Sequence, residues 1–134
     1  MTVDLEQTLL GTTLMSSLPT HQRLKDLKDV FGCSEDILSR YAIAVSMKAG
    51  PIESEWEPRP MTEGLSVING KSIRGKTLFK SELALFLVML AVTEPDAEPH
   101  EVRDLLRRHW ERGVEMMAER LDGKDWLDFL AEQR

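Results

Sequence analysis

The sequence predicts a compact, mainly α-helical domain of about five helices with one short β-ribbon. Three observations lead to this prediction. The chain has 134 residues, which is the length of one domain, so residues 1–134 are expected to fold as a single unit. Apolar residues recur at spacings of three and four through much of the chain, which is the period of an amphipathic helix. Capping residues, glycines and prolines divide these stretches into separate helices.

Composition places the chain among globular proteins. Hydrophobic residues make up 42% and charged residues 30%, which excludes disorder of the whole chain. No stretch of about 20 apolar residues occurs, so a membrane-spanning helix is excluded. The first residues, MTVDLEQTLL, carry two acids and no cation, which does not fit a secretory signal. A single cysteine, Cys33, excludes an internal disulfide. We therefore expect a cytoplasmic protein.

The first third of the chain predicts a strand followed by two helices. The β-tolerant stretch 12–17 fits a short strand, although its surroundings are ambiguous. Pro19 suits the first turn of a helix, and Gly32 suits its C-cap. Ser34 fits the N-cap of a second helix, which Gly50 closes. Apolar side chains repeat at helical spacing in both helices, as Leu24, Leu27, Phe31 and then Ile37, Leu38, Tyr41, Val45.

The middle of the chain predicts a loop, a hairpin and a third helix. Prolines and glutamates indicate a loop at 51–64. Asn69-Gly70 lies between β-branched residues and is a strong hairpin signal, so the β-ribbon is expected within residues 65–73. Ser81 can cap the third helix, in which residues 83–92 are all apolar. A helix that is apolar on every side is expected in the centre of the core or at a subunit interface.

The last third predicts one long helix and a short final one. Pro99 opens the long helix, with Asp96 or Glu98 near its N-cap. Gly113 in its middle costs about 1 kcal/mol relative to alanine, so it is expected to permit a close approach of another helix. Arginines alternate with acids along this helix, which is typical of a solvated face; they are Arg103, Arg107, Arg108 and Arg112. The short final helix carries Trp126, Leu127, Phe129 and Leu130.

The charge is unevenly distributed along the chain. The formal net charge is -6, which argues against a protein that coats nucleic acid with its whole surface. No acid occurs between Glu63 and Glu82, however, and this stretch holds Lys71, Arg74, Lys76 and Lys80. Such a segment can contact the phosphates of a nucleic-acid backbone. Its cations can equally stay solvated or pair with the acids of residues 53–63, and the residues alone leave these alternatives open.

Residues 70–77 match the nucleotide-binding pattern G-x-x-x-x-G-K-[ST] at every fixed position. In such a P-loop, Lys76 and Thr77 would reach phosphate and Mg²⁺. A P-loop fold needs several parallel strands covered by helices, whereas residues 78–134 are almost wholly helical in pattern. A P-loop nucleotide-binding protein is therefore the alternative hypothesis.

The histidines and the cysteine form no recognisable catalytic pattern. His21, His100 and His109 have no metal-ligand spacing with Cys33 or with one another. His109 lies on the apolar face of the long helix, which is typical of a hydrogen-bonded histidine in the core or at an interface. Ser34 and Ser81 are better explained as helix caps than as nucleophiles. We expect no catalytic residue, no metal site and no cofactor.

Four blocks of the sequence resemble the DndE family, small subunits of DNA phosphorothioation systems. The blocks keep the family's order and span about residues 18–121; they are residues 24–28 with Gly32, residues 37–47, residues 64–79 and residues 109–117. The elements Arg-x-Ala-x-x-x-Ser and His-x-x-x-Gly-Val, which begin here at Arg40 and His109, are specific in combination. The sequence departs from the family at Lys80, where glycine is usual, and in the first helix, where Asp26 and Asp29 interrupt a basic stretch.

The resemblance implies a fold related to ribbon-helix-helix proteins, association into a homotetramer, and contact with DNA, preferably nicked duplex. It implies no catalytic activity, because the sulfur chemistry belongs to partner proteins, a cysteine desulfurase and an iron–sulfur, ATP-using enzyme. The chain is then a DNA-associated subunit that scaffolds the modification complex. The residues expected to contact phosphates are Lys71, Arg74, Lys76 and Lys80, with Lys25 and Lys28. The strand at 12–17 offers no Arg, Lys, Asn or Gln to base edges, so little sequence readout is expected. A helical adaptor without DNA contact is a further alternative.

Overall fold

The computed structural model of the chain describes residues 2–61 and 65–121. Within these residues the chain forms mostly helices and one two-stranded sheet. The elements are α1 (Thr2–Gly11), β1 (Thr13–Met15), α2 (Leu18–Phe31), α3 (Glu35–Lys48), β2 (Ser72–Arg74), α4 (Gly75–Phe79), α5 (Leu83–Thr93) and α6 (Val102–Leu121), with 3-10 turns at Lys80–Glu82 and Pro99–Glu101. The mainly helical fold with a short ribbon is therefore confirmed, and the predicted final helix lies outside the described residues.

The two strands of the ribbon come from distant parts of the chain. β1 and β2 pair antiparallel, with Leu14 opposite Ile73. The hairpin predicted at Asn69-Gly70 is wrong, because the strand after this dipeptide pairs with β1. Gly70 does not have the positive φ that such a turn requires. Its Cα instead lies against the backbone of Ser16, where a Cβ would overlap the carbonyl oxygen. Glycine is needed here for close packing of two backbone segments.

The predicted C-cap of α2 at Gly32 and the predicted N-cap of α3 at Ser34 are confirmed, and Ser17 caps α2 in addition. At the start of α2 the Ser17 hydroxyl accepts the Thr20 N–H at 3.3 Å. Gly32 ends α2 with a φ of 71°, in the left-handed region that favours glycine. At the start of α3 the Ser34 hydroxyl accepts the Ile37 N–H at 3.2 Å. These local interactions fix the boundaries of both helices.

The contact between α3 and α6 forms the centre of the core. Gly113 of α6 lies against the backbone of Ala42 in α3, where a Cβ would overlap the carbonyl oxygen. The close helix approach predicted for Gly113 is thus confirmed. Beside it, Trp110 is completely buried, and its indole N–H donates to the Ser39 hydroxyl at 2.9 Å. The glycine lets two helix backbones touch, and the tryptophan fills the adjoining space.

The apolar helix α5 is buried on one side only, so it is not the central core helix. Its buried side chains are Leu83, Phe86 and Leu90. Its exposed apolar side chains are Leu85 at 54%, Val88 at 62% and Val92 at 78%. The prediction that Ser81 caps this helix is wrong, because Ser81 lies in the preceding 3-10 turn and α5 begins without a side-chain cap. None of the helices in the described ranges is long and apolar enough to cross a membrane.

Two of the four arginines of α6, Arg108 and Arg112, do not lie on the solvated face that the charge pattern predicted, whereas Arg103 is exposed. Arg108 donates to three backbone carbonyls at 2.6 to 2.7 Å, those of Glu53, Ser54 and Trp56. Arg112 donates to three more, those of Ser46, Gly50 and Pro51. An irregular loop cannot satisfy its own carbonyl groups, so donors from a neighbouring helix take that role. The first part of the 51–64 loop is therefore held against α6.

Candidate nucleic-acid interface

The acid-free stretch folds as β2, α4 and the turn that follows; we call residues 71–80 the basic segment. Three contacts hold its backbone on the body of the protein. β2 pairs with β1. The Cα of Gly75 lies against the Leu9 carbonyl of α1, where a Cβ would overlap the oxygen. Arg40 of α3 donates from Nη1 to the Leu78 carbonyl at 2.7 Å. The cations of the basic segment are thus attached to a backbone that three other elements position.

Three of the four cations in the basic segment have no partner in the described part of the chain. Arg74, Lys76 and Lys80 are exposed, and no hydrogen bond or ion pair joins their side chains to residues 2–61 or 65–121. Lys71 differs, because its Nζ lies 3.3 Å from Glu35 Oε1 at the start of α3. The sequence left open whether these cations pair with the acids of residues 53–63. Lys71 pairs instead with Glu35.

Lys80 ends α4 in a backbone conformation that favours glycine. Its φ is 51° and its ψ is -124°. It is the one non-glycine residue with positive φ in the described ranges. Such a conformation costs a residue with a side chain on the order of 1–3 kcal/mol. Glycine would be free of this strain, which is therefore the cost of placing a cation at this position.

The two lysines predicted on the first helix are exposed on α2. Lys25 Nζ lies 3.4 Å from Ser66 Oγ, in the stretch that leads to β2. Lys28 has an exposed side chain close to the C-terminal end of α2. No hydrogen bond or ion pair among the described residues joins either lysine to the basic segment. The nearby Asp26 is engaged with Gln22 Nε2 at 2.9 Å.

Residues 70–77 do not form a P-loop, so the alternative hypothesis is wrong. A phosphate-binding loop turns free backbone N–H groups toward the ligand. Here the Lys71 N–H donates to Ser16 Oγ at 2.8 Å, and the Gly75 N–H donates to the Thr12 carbonyl at 2.8 Å. The sheet of the described residues has two antiparallel strands, whereas a P-loop follows a parallel strand. The glycines of the pattern serve backbone packing.

A second set of chemically capable side chains meets between α3, α6 and the end of α5. Ser46 Oγ lies 2.7 Å from His109 Nδ1, and His109 Nε2 lies 2.8 Å from Glu94 Oε2. The Arg112 Nε–H donates to Ser46 Oγ at 2.8 Å. Ser46 and His109 belong to the two sequence elements that were specific in combination. The two sequence elements therefore contain the residues through which α3 and α6 contact each other.

This serine–histidine–glutamate arrangement is part of the core and is closed to substrates. Ser46 and His109 have no exposed surface. Burial lowers the pKa of His109 from its ordinary value of 6.5, and the hydrogen bond with Glu94 opposes this effect only in part. All hydrogen-bonding groups are satisfied when Ser46 donates to Nδ1 and the Nε2–H of the neutral ring donates to Glu94. The prediction of a hydrogen-bonded core histidine is confirmed.

Glu111 is a buried carboxylate that the sequence analysis did not single out. It is 1% exposed, and its Oε1 accepts the Ser17 N–H at 2.6 Å and the Thr20 hydroxyl at 2.9 Å. Its Oε2 accepts from Arg107 at 2.6 Å. A carboxylate of α6 thus caps the N-terminus of α2, where the helix dipole favours negative charge. The sequence shows only the spacing of Arg107 and Glu111, which fits an exposed ion pair equally well.

Comparisons with known proteins agree with this fold. The family model described as DNA sulphur modification protein DndE matches residues 14–125, which is more than half of the chain. Among solved structures, the crystal structure of DndE from Escherichia coli B7A, involved in DNA phosphorothioation modification, superposes with a TM-score of 0.57. The two sequences are 21% identical, and the match covers 81% of this chain and 97% of that chain. None of the curated proteins matches the sequence.

Proposed function

Because the chain belongs to the DndE family, we propose that it is a DNA-binding, non-enzymatic subunit of a DNA phosphorothioation system. In this role it binds the backbone of duplex DNA, preferably at nicks, and scaffolds the other proteins of the system in the cytoplasm. The sulfur chemistry takes place on those partner proteins. The contact between α3 and α6 supports this assignment of the chemistry to the partner proteins, because its Ser46 and His109 are buried and inaccessible to a substrate.

The observation that carries the proposal is the group of cations on the basic segment that have no partner in residues 2–61 and 65–121. Arg74, Lys76 and Lys80 are exposed on a backbone that β1, α1 and α3 hold in place. Cations without a protein partner bind phosphate oxygens without first breaking an ion pair. The strain at Lys80 supports a use for its charge, since glycine at that position would be free of strain.

The remaining candidate cations extend this contact. Lys71 joins it by exchanging Glu35 for a phosphate, because its ammonium group is partly exposed. Lys25 and Lys28 add positive charge from the exposed side of α2. The exposed side chains of β1 are Thr13 and Met15, which do not discriminate between base pairs. Binding therefore depends on the backbone, and a nick favours it because a nicked duplex bends toward the protein at lower cost.

Self-association into a homotetramer makes this contact stronger. Leu85, Val88 and Val92 recur at spacings of three and four and are exposed on one side of α5. Burial of this stripe against a second copy stabilises the assembly by about 25 cal/mol for each Å² of apolar surface removed from water. Four copies bring four basic segments to one DNA molecule, which raises the avidity although each chain carries a net charge of -6.

The DNA contact is tested with a variant in which Lys71, Arg74, Lys76 and Lys80 are all alanine. Fluorescence anisotropy with nicked duplex is expected to show at least about tenfold weaker binding and a shallower dependence of log Kd on salt concentration. Lys48→Ala, which removes an exposed lysine from the C-terminal end of α3, is expected to bind like the wild type. Equal binding by the quadruple variant and the wild type at low salt overturns the interface. Absence of binding by the wild type favours the adaptor without DNA contact.

The tetramer is tested by light scattering after gel filtration. The wild type is expected at four chain masses, and Val88→Lys is expected at a lower mass, because a lysine in an apolar interface loses its hydration. Val30→Lys alters a valine of α2 that is 43% exposed and is expected to remain tetrameric. A monomeric wild type contradicts the proposal.

A further inference from the structure

A groove of about 640 Å³ lies between the start of the 51–64 loop, the turn after α5 and the first half of α6. Its less exposed lining holds three apolar side chains, Ile52, Ala97 and Leu105, beside the hydrogen-bonded Glu94 and Arg108. Its exposed lining carries the carboxylates of Asp96 and Glu101, and that of Asp104, which pairs with Arg107 at 2.8 Å. We call it the acidic groove. None of its lining residues belongs to the basic segment.

Hydrogen bonds hold the walls of the acidic groove in place. The Ile52 N–H donates to Glu94 Oε2 at 2.8 Å, which fixes the loop to the end of α5. Arg108 holds the loop from the side of α6. The Glu98 N–H donates to Glu101 Oε1 at 2.8 Å in a capping box that fixes the turn before α6. A groove whose walls are already ordered loses little conformational entropy when a ligand binds.

The charge of the acidic groove selects the class of its ligand. Four carboxylates line the groove, those of Glu94, Asp96, Glu101 and Asp104, and its lining contains no lysine. The arginine in the lining, Arg108, has a side chain that is 13% exposed and donates to loop carbonyls. Such a surface repels the phosphates of DNA, and its apolar floor accommodates a hydrocarbon side chain. The complementary ligand is a protein segment that carries Lys or Arg beside an apolar residue.

We propose that the acidic groove is the docking site for a cationic segment of a partner protein, anchored by an apolar side chain on Ile52 and Leu105. This inference rests on the proposed scaffolding function and specifies the surface that performs it. The segregation of charge lets one chain bind DNA through the basic segment while the acidic groove holds a protein.

The probe for this site is a short fluorescein-labelled peptide of lysine and leucine, titrated with the full chain at physiological salt. Asp96→Lys reverses one exposed charge in the groove and is expected to weaken peptide binding about tenfold. Asp29→Lys makes the same charge change at an exposed aspartate of α2 and is expected to change Kd by less than about twofold. In nuclear magnetic resonance spectra the amide signals of Ile52, Ala97 and Leu105 are expected to shift on titration.

Other occupants of the groove are outcomes of the same experiment. Equal losses for Asp96→Lys and Asp29→Lys indicate unspecific attraction to an acidic protein and overturn the proposal. Displacement of the peptide by nicked duplex assigns the groove to DNA, and a lower particle mass for Asp96→Lys assigns it to a second copy; either result overturns it. Wild-type affinity of Asp96→Lys for nicked duplex, together with its loss of the peptide, supports the docking site. If the wild type does not bind DNA, the function proposed for the basic segment fails. The peptide titration still tests the acidic groove by itself.

Discussion

The contact between α3 and α6 and the basic segment use polar side chains in opposite ways. In the helix contact, Ser46 and His109 are hydrogen-bonded at every polar atom and have no exposed surface. In the basic segment, Arg74 and Lys76 are exposed and have no partner in the described part of the chain. The residues whose types suggest catalysis hold the fold together. Arg74 and Lys76, whose types suggest an ordinary solvated loop, are available to bind a ligand.

The largest expected effect is at the point where the two helix backbones touch. Gly113→Ala would place a Cβ on the Ala42 carbonyl, and two packed helices cannot separate locally without losing other contacts. We expect a loss of about 3 kcal/mol in the free energy of unfolding, measured by chemical denaturation. Gly11→Ala is the matched control, because nothing lies within 4 Å of a Cβ at this helical glycine. Equal stability of the two variants would show that the backbones do not touch.

The next effect tests whether the buried polar contact is structural. Ser46→Ala leaves the buried Nδ1 of His109 and the Nε–H of Arg112 without this partner, which is expected to cost about 2 kcal/mol. Ser54→Ala removes an exposed hydroxyl and is expected to be neutral. Both variants are expected to bind nicked duplex like the wild type once folded. If Ser46→Ala folds but binds DNA more weakly than the wild type, the helix contact also takes part in DNA binding and is not only structural.

Acid is expected to weaken the helix contact through His109. The pKa of this histidine is lowered in the folded chain, so below about pH 6.5 the unfolded chain binds a proton that the folded chain resists. The contribution of His109 to the free energy of unfolding therefore falls as the pH drops below 6.5. It levels off below the pKa that His109 has in the folded chain. Melting temperatures between about pH 7.5 and about pH 5.5 measure the slope. His109→Gln is expected to show a smaller decrease than the wild type, and an equal decrease would assign the effect to other groups.

The smallest effect separates strain from charge within the basic segment. Lys80→Gly relieves a positive φ and is expected to stabilise the fold by about 1 kcal/mol. It also removes one cation, so binding to nicked duplex is expected to weaken about twofold to threefold. Lys80→Ala loses the same charge without relief of strain and is the matched control in both assays. If the two variants are equally stable, the backbone at this position is not strained.

Local features of the sequence predicted much of the helical fold. Ser34 and Gly32 mark helix ends in the sequence because capping depends on residues within one turn. The close helix approach at Gly113 could be predicted because a glycine in the middle of a helix needs a compensating contact. The strand partner of β2 could not be predicted from local features, since α2 and α3 separate residues 13–15 from residues 72–74 in the sequence. The hairpin signal at Asn69-Gly70 was misleading for that reason.

The sequence by itself determined the helices α2, α3, α5 and α6, the family to which the chain belongs, and the position of the one stretch that carries cations without acids. Only the tertiary structure decided what each charge contacts. Arg108 and Arg112 bind loop carbonyls, and Lys71 binds Glu35, whereas Arg74 has no partner in residues 2–61 and 65–121. Helix propensity and capping act over a few residues, and sequence shows them directly. The free energy of a charged side chain depends on burial and on groups distant in sequence, which only the folded chain brings together.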